Sequence, residues 1–150
     1  MDLPNRENWA TALAAADADA IRALANRVVD RAEVAPLAPP REGLMLMQMR
    51  DSVAGSAFYL GEIPMTRVHL RLTVPEGVAE GGAALMSDDL ALVTRIAILD
   101  AALSADLREA SEIEALIAEG MAALQEIRTQ RALALDRTRV DFQLLSEEDQ

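Results

Sequence analysis

The chain has no cysteine and a single histidine, His69. A disulfide, a thiolate nucleophile or an iron–sulfur cluster therefore cannot be built from it, and neither can a closed zinc site of the usual nitrogen and sulfur ligands. Aromatic residues are 3% of the 150, which leaves few platforms on which bases could stack. Cations are scarce too, with 14 Lys and Arg against 25 Asp and Glu and a formal net charge of −11. Nonspecific affinity for nucleic acid comes from neutralising phosphates, so nucleic acid is not an expected partner. The first thirty residues lack a basic start followed by an apolar core, which predicts no secretory signal. The longest apolar helical run is interrupted by Arg95 and Asp100 and predicts no membrane span. Gly77, Gly81 and Gly82 fit neither a G-x-x-x-x-G-K-[ST] nor a G-x-G-x-x-G nucleotide loop. The expected location is the cytoplasm.

What is present is aliphatic. Hydrophobic residues reach 51%, so a core must be assembled from Ala, Leu, Ile, Val and Met. A chain of this length is expected to form one domain that buries about 70% of its unfolded surface. The pattern predicts an α+β fold, an antiparallel sheet of about four strands flanked by N-terminal and C-terminal helices.

Residues 1–34 read as a helical hairpin. Asn5 is placed to cap the first helix, Trp9 and Leu13 share a face, and Asp17 or Asp19 caps a second helix in which Ile21, Leu24, Ala25 and Val28 repeat at helical spacing. Pro36, Pro39 and Pro40 make residues 35–42 a linker.

Residues 43–86 read as an antiparallel meander. Its strands are 44–49, 57–60, 65–74 and a weaker 78–86, with a hairpin turn at 51–56 and a break at Pro64. In the third strand Val68, Leu70, Leu72 and Val74 take one parity and Arg67, His69, Arg71 and Thr73 the other, the period of a strand buried on one face. Met45, Met47 and Met49 share a parity and read as core fill rather than as a copper site.

Residues 87–136 read as two helices. Ser87-Asp88-Asp89 caps a helix over 88–107 that is apolar nearly all round, which predicts burial on two sides, the second facing another subunit. Ser111 and Glu114 match a capping box for the final helix. Running to Leu135, that helix would be about 37 Å long at 1.5 Å per residue, more than a small core needs, so part of it is expected to project. Residues 137–145 read as an edge strand or docking segment and 146–150 as a solvated acidic tail.

Candidate chemistry is sparse. Any histidine-dependent proton transfer within the chain falls to His69, yet no Ser or Asp is tied to it by a recognisable motif. Arg67, His69 and Arg71, with Arg50 from a neighbouring strand, form a cationic stripe suited to phosphates or to an acidic patch of a partner. The plainer reading of the same stripe is a solvated face whose charges pair with Glu62 or Glu80. Glu112, Glu114 and Glu119 lie on a solvated helix face with nothing to pair them as acid and base. No catalytic residue, metal ligand or bound cofactor is expected in this chain.

Several stretches together resemble the PhnG family, the small subunit of the bacterial carbon–phosphorus lyase core complex. They are Arg6-Glu7-Asn8-Trp9, Phe58-Tyr59-Leu60-Gly61-Glu62 with Met65-Thr66-Arg67, Ile98-Leu99-Asp100-Ala101, and Thr138-Arg139-Val140-Asp141-Phe142. Their order and separation fit over nearly the whole chain. The resemblance implies a subunit of α-D-ribose 1-methylphosphonate 5-triphosphate synthase, in which a phosphonate displaces the adenine of ATP. ATP is then a substrate of the complex, and catalysis falls mainly to the large partner PhnI. PhnH, PhnJ and PhnL complete a symmetric hetero-oligomer that touches neither nucleic acid nor membrane. Arg67, His69, Arg71 and Arg139 become candidate substrate- or partner-binding residues, with 88–107 and 139–145 as expected interfaces. This chain departs from the family where Gly-Arg-Asp gives way to Ser87-Asp88-Asp89, and Ala83, Ala84 and Leu85 replace aromatic residues in the preceding strand. The alternatives are a phosphate-binding enzyme in which His69 moves a proton, or a non-catalytic adaptor of another cytoplasmic complex.

Overall fold

The computed structural model describes residues 3–138. A 3-10 turn, Arg6–Asn8, leads into α1 (Trp9–Ala15) and α2 (Ala18–Val29). Three antiparallel strands follow in the order β1 (Glu33–Arg50), β2 (Ala57–Val74), β3 (Gly77–Leu85), and then α3 (Leu90–Ser104) and α4 (Ala110–Arg137). The fold is α+β, with three strands where about four were expected, because β2 runs unbroken through both the second and third predicted strands.

Pro64 does not break β2, and Pro36, Pro39 and Pro40 lie inside β1 rather than in a linker. Both exceptions have one cause. β1 is an edge strand, and β3 ends opposite Thr66, so residues 57–65 of β2 also have a free edge. A residue without an N–H is tolerated at an edge. The prolines of β1 leave their mark as register shifts between Pro36 and Arg41.

Local signals set several boundaries. Asp17 Oδ1 accepts from the Ala20 amide at 2.7 Å and Asp89 Oδ1 from the Leu92 amide at 2.8 Å, capping α2 and α3. The β1–β2 turn is closed by Asp51, whose two carboxylate oxygens accept from the Val53 and Ala54 amides at 3.0 Å. These bonds hold the Asp51 carboxyl below its ordinary value. Gly55 supplies the left-handed residue that this turn requires (φ 67°).

Two predicted caps do not form. Asn5 makes no side-chain capping bond; only its carbonyl takes part, accepting from the Asn8 amide in the 3-10 turn. α4 starts at Ala110 with Glu109 at the cap position, which places Ser111 inside the first turn and removes the capping box. The Glu109 carboxylate is drawn instead to Arg31.

α3 lies at the centre of the packing. Val68, Leu70, Leu72 and Val74 of β2 and Ala79 and Ala83 of β3 cover one side of it, and α1, α2 and the first half of α4 cover the other. Nine of its fifteen residues are buried. Its second apolar side is thus buried by this chain's own helices, not by another subunit as expected. The layers approach closely where side chains are absent: a Cβ on Gly81 would lie 2.4 Å from the Ala101 amide nitrogen, and Gly120 of α4 sits directly on the Ala12 carbonyl.

Candidate functional site

The sheet has one covered face and one open face, and the predicted cationic stripe lies on the open one. Successive rows across β1, β2 and β3 read Ala35, Arg71, Glu80; then Ala38, His69, Gly82; then Arg41, Arg67, Ala84. Arg67, His69 and Arg71 are all exposed. Arg71 is engaged, donating from Nε and Nη2 to Glu80 Oε1 at 3.1 and 2.6 Å. Held by that guanidinium, the Glu80 carboxyl sits below its ordinary value. Glu80 is thus one of the two carboxylates offered by the sequence as partners of the stripe; Glu62 lies farther along β2, opposite Leu46.

The other end of the stripe is different. Arg50, expected as its neighbour, lies at the far end of β1 opposite Ala57 and donates to the Gly55 carbonyl. Arg41 takes that place, directly opposite Arg67. Arg41 lies in what had read as the proline linker, so its position could not be placed on a strand face from the sequence. Among the described residues neither Arg41 nor Arg67 has a carboxylate within 4.0 Å. Two like charges directly opposed across an antiparallel pair repel.

Beside the stripe, a second group closes the free edge of β3. Arg6 donates from Nε and Nη2 to the two oxygens of Asp100 at 3.0 and 2.8 Å, and Nη2 also reaches the Glu80 carbonyl at 3.2 Å. Asp100 Oδ2 accepts from the Gly82 amide at 2.9 Å. The pair thus meets an outward carbonyl and an outward amide two residues apart, the groups that a further strand would bond, and blunts an edge otherwise open to pairing. Arg6, His69, Glu80, Gly82 and Asp100 border a groove of about 600 Å3. Asp100 was visible in the sequence as one of two charges, with Arg95, that interrupt an apolar helix, and only the fold shows that Arg6, 94 residues away, answers it.

Two elements project from this body. No residue of β1 is buried, and residues 57–65 of β2 are exposed or half-buried. The resulting two-stranded arm carries Leu44, Leu46, Phe58, Tyr59 and Leu60 in the open, with Leu44 at 68% and Tyr59 at 64% exposure. Met45 and Met49 are exposed and Met47 is half-buried, so this methionine row is not core fill. The second projection is α4 from Gln125 onward, exposed throughout and carrying Ile127, Leu133 and Leu135. Among the described residues no helix is long and apolar enough to cross a membrane. Arg139 and the predicted docking segment after it lie outside the described residues.

Comparison with known proteins agrees with the family resemblance. The family model of phosphonate metabolism protein PhnG matches residues 4–146. The PhnG subunit of alpha-D-ribose 1-methylphosphonate 5-triphosphate synthase from Rhizobium meliloti (strain 1021) is 34% identical over 113 residues, which cover 75% of this chain and 70% of that protein. Arg6 and Asp100 come from two separate stretches that carried the resemblance, and the fold joins them in one ion pair. With its match running from the 3-10 turn through α4, the chain belongs to the PhnG family of phosphonate metabolism proteins.

Proposed function

We propose that this chain is the PhnG-type subunit of a cytoplasmic α-D-ribose 1-methylphosphonate 5-triphosphate synthase. The complex transfers a phosphonate to the ribose C1 of ATP and releases adenine. In this reading PhnI carries the main catalytic groups, and PhnH, PhnJ and PhnL belong to the same assembly. The chain contributes structure and positioning: Asp100, Glu109 and Glu80 are taken up by Arg6, Arg31 and Arg71, and Asp17 and Asp89 cap helices.

The observation that carries the reading is the projecting arm. Phe58, Tyr59 and Leu60 belong to a stretch that resembles the family, and the chain leaves them uncovered. Large apolar side chains exposed together mark a surface made to be covered, and such anchors dominate the energy of protein interfaces. The arm therefore replaces α3 as the leading interface.

Co-expression with the other subunits tests this. The wild-type chain is expected to co-purify with PhnI and to be required for product formation from ATP and methylphosphonate. The double variant Leu44→Ser/Tyr59→Ser should fold normally and lose that association. A chain that never associates, or a complex equally active without it, overturns the proposal.

A further inference from the structure

We propose that Arg41, Arg67 and His69 form a binding site for a polyphosphate oxyanion on the open face of the sheet. Four independent features of the structure converge there. First, Arg41 and Arg67 are directly opposite on β1 and β2, and no carboxylate among the described residues neutralises either of them. Side chains so placed start about 5 Å apart. An anion between them turns a repulsion into two charge-assisted contacts, and guanidinium groups bind phosphate oxygens in bidentate fashion.

Second, the backbone is shaped to put Arg41 there. The register of β1 against β2 shifts between Pro36 and Ala38 and again between Ala38 and Arg41. Irregularities of this kind re-aim side chains. Third, the floor is kept low: Ala38, Gly82 and Ala84 flank His69 and Arg67 around a depression of about 430 Å3. A Cβ on Gly82 would lie 3.2 Å from the Val68 carbonyl oxygen and 3.6 Å from His69 Cδ2, inside that space.

Fourth, the acids of this face are set apart from the pair. Glu80 is held by Arg71, and Glu33 lies beyond Arg71 in the row of Thr73. The cationic end thus stands out on a chain of net charge −11. A ligand with several linked phosphoryl groups suits it better than a single phosphate, because it can span both arginines and reach the His69 imidazole. The choice of a polyphosphate rests on the proposed synthase role; the presence of an oxyanion site rests on the geometry alone.

The test is titration of the full-length chain with inorganic tripolyphosphate at fixed ionic strength, by calorimetry. Saturable binding is expected, weakened about tenfold or more by Arg41→Gln and by Arg67→Gln, the effect of losing one charge-assisted contact. Arg131→Gln, on the projecting part of α4, changes the net charge equally and should leave binding unchanged. Gly82→Ala should weaken binding severalfold in a chain whose circular dichroism shows it folded, since it fills the depression and removes no charge. Absence of binding, or equal loss in Arg131→Gln, overturns the proposal. So does a pair of arginine variants that bind tripolyphosphate normally but no longer co-purify with PhnI, which would make the face a protein interface. Co-purification without tripolyphosphate binding refutes the site and spares the synthase reading; binding without co-purification does the reverse.

Discussion

The two halves of β2 share one strand and have opposite surroundings. From Thr66 to Val74 every second residue is buried, with Val68, Leu70, Leu72 and Val74 set into α3. From Ala57 to Met65 none is buried, although Phe58, Leu60 and Ile63 are as apolar as anything in the packed half. Apolar content therefore does not decide burial here; the presence of a covering layer does. α3 ends its coverage near Thr66, whose hydroxyl donates to the Ser87 carbonyl at 2.7 Å just before that helix begins. Beyond this point the strand has only β1 beside it.

Equal truncations in the two halves sharpen the contrast. Leu72→Ala removes a fully buried side chain and is expected to cost about 3–4 kcal/mol, where buried leucine truncations commonly fall. Leu60→Ala, 63% exposed, should change stability by less than about 0.5 kcal/mol. Denaturant unfolding of both variants measures the difference. Similar costs would mean that the arm is packed and the comparison is broken.

The Arg6–Asp100 pair should rank next. Asp100→Ala removes an acceptor that serves both a guanidinium and the Gly82 amide, leaving a half-buried N–H unbonded. Arg6 itself is half-exposed and can find water, so the cost is expected at about 2–3 kcal/mol, below that of a fully buried pair. Arg6→Ala should cost less than Asp100→Ala. A reversed order, read from thermal unfolding, would show that the pair acts through Arg6 packing and not through the edge it closes.

The smallest expected effect is pH-dependent and also separates body from arm. Burial disfavours the charge on Glu109, yet hydrogen bonding by Arg31, with the charges of Arg31 and Arg108, holds its carboxyl below the ordinary value of 4.5. A carboxyl depressed on folding contributes stability that is complete above the unfolded value and disappears as pH falls through the folded one. Stability should therefore decline as pH drops below about 4.5, and Glu109→Gln should be less stable at neutral pH with a shallower acid decline. Arg31 also reaches Glu76 at 3.2 Å, so this cluster joins the end of α2, the β2–β3 turn and the start of α4. An acid profile identical in wild type and Glu109→Gln would remove Glu109 as its source.

The periodicity of residues 65–74, the caps Asp17 and Asp89 and the turn at Asp51 were legible because each depends on neighbours within a few residues, and the projecting end of α4 was legible from helix length alone, since 28 residues outrun a small core. Pro36, Pro39, Pro40 and Pro64 misled for the opposite reason. Whether a proline interrupts a strand depends on whether its edge is free, and that is a property of the sheet order. The methionine row and α3 were misjudged symmetrically: an apolar pattern says that a face seeks cover, not whether the same chain supplies it.

By itself the sequence determined the α+β class, the cationic strand face and the family, since composition, alternation and motif order are properties of the linear chain. Only the tertiary structure decided that Arg41 faces Arg67, that Arg6 closes the β3 edge through Asp100, and that α3 is covered by this chain's own helices while the arm stands clear. Each of these turns on which distant segments meet, and strand register together with close packing at Gly81 and Gly120 fixes those meetings.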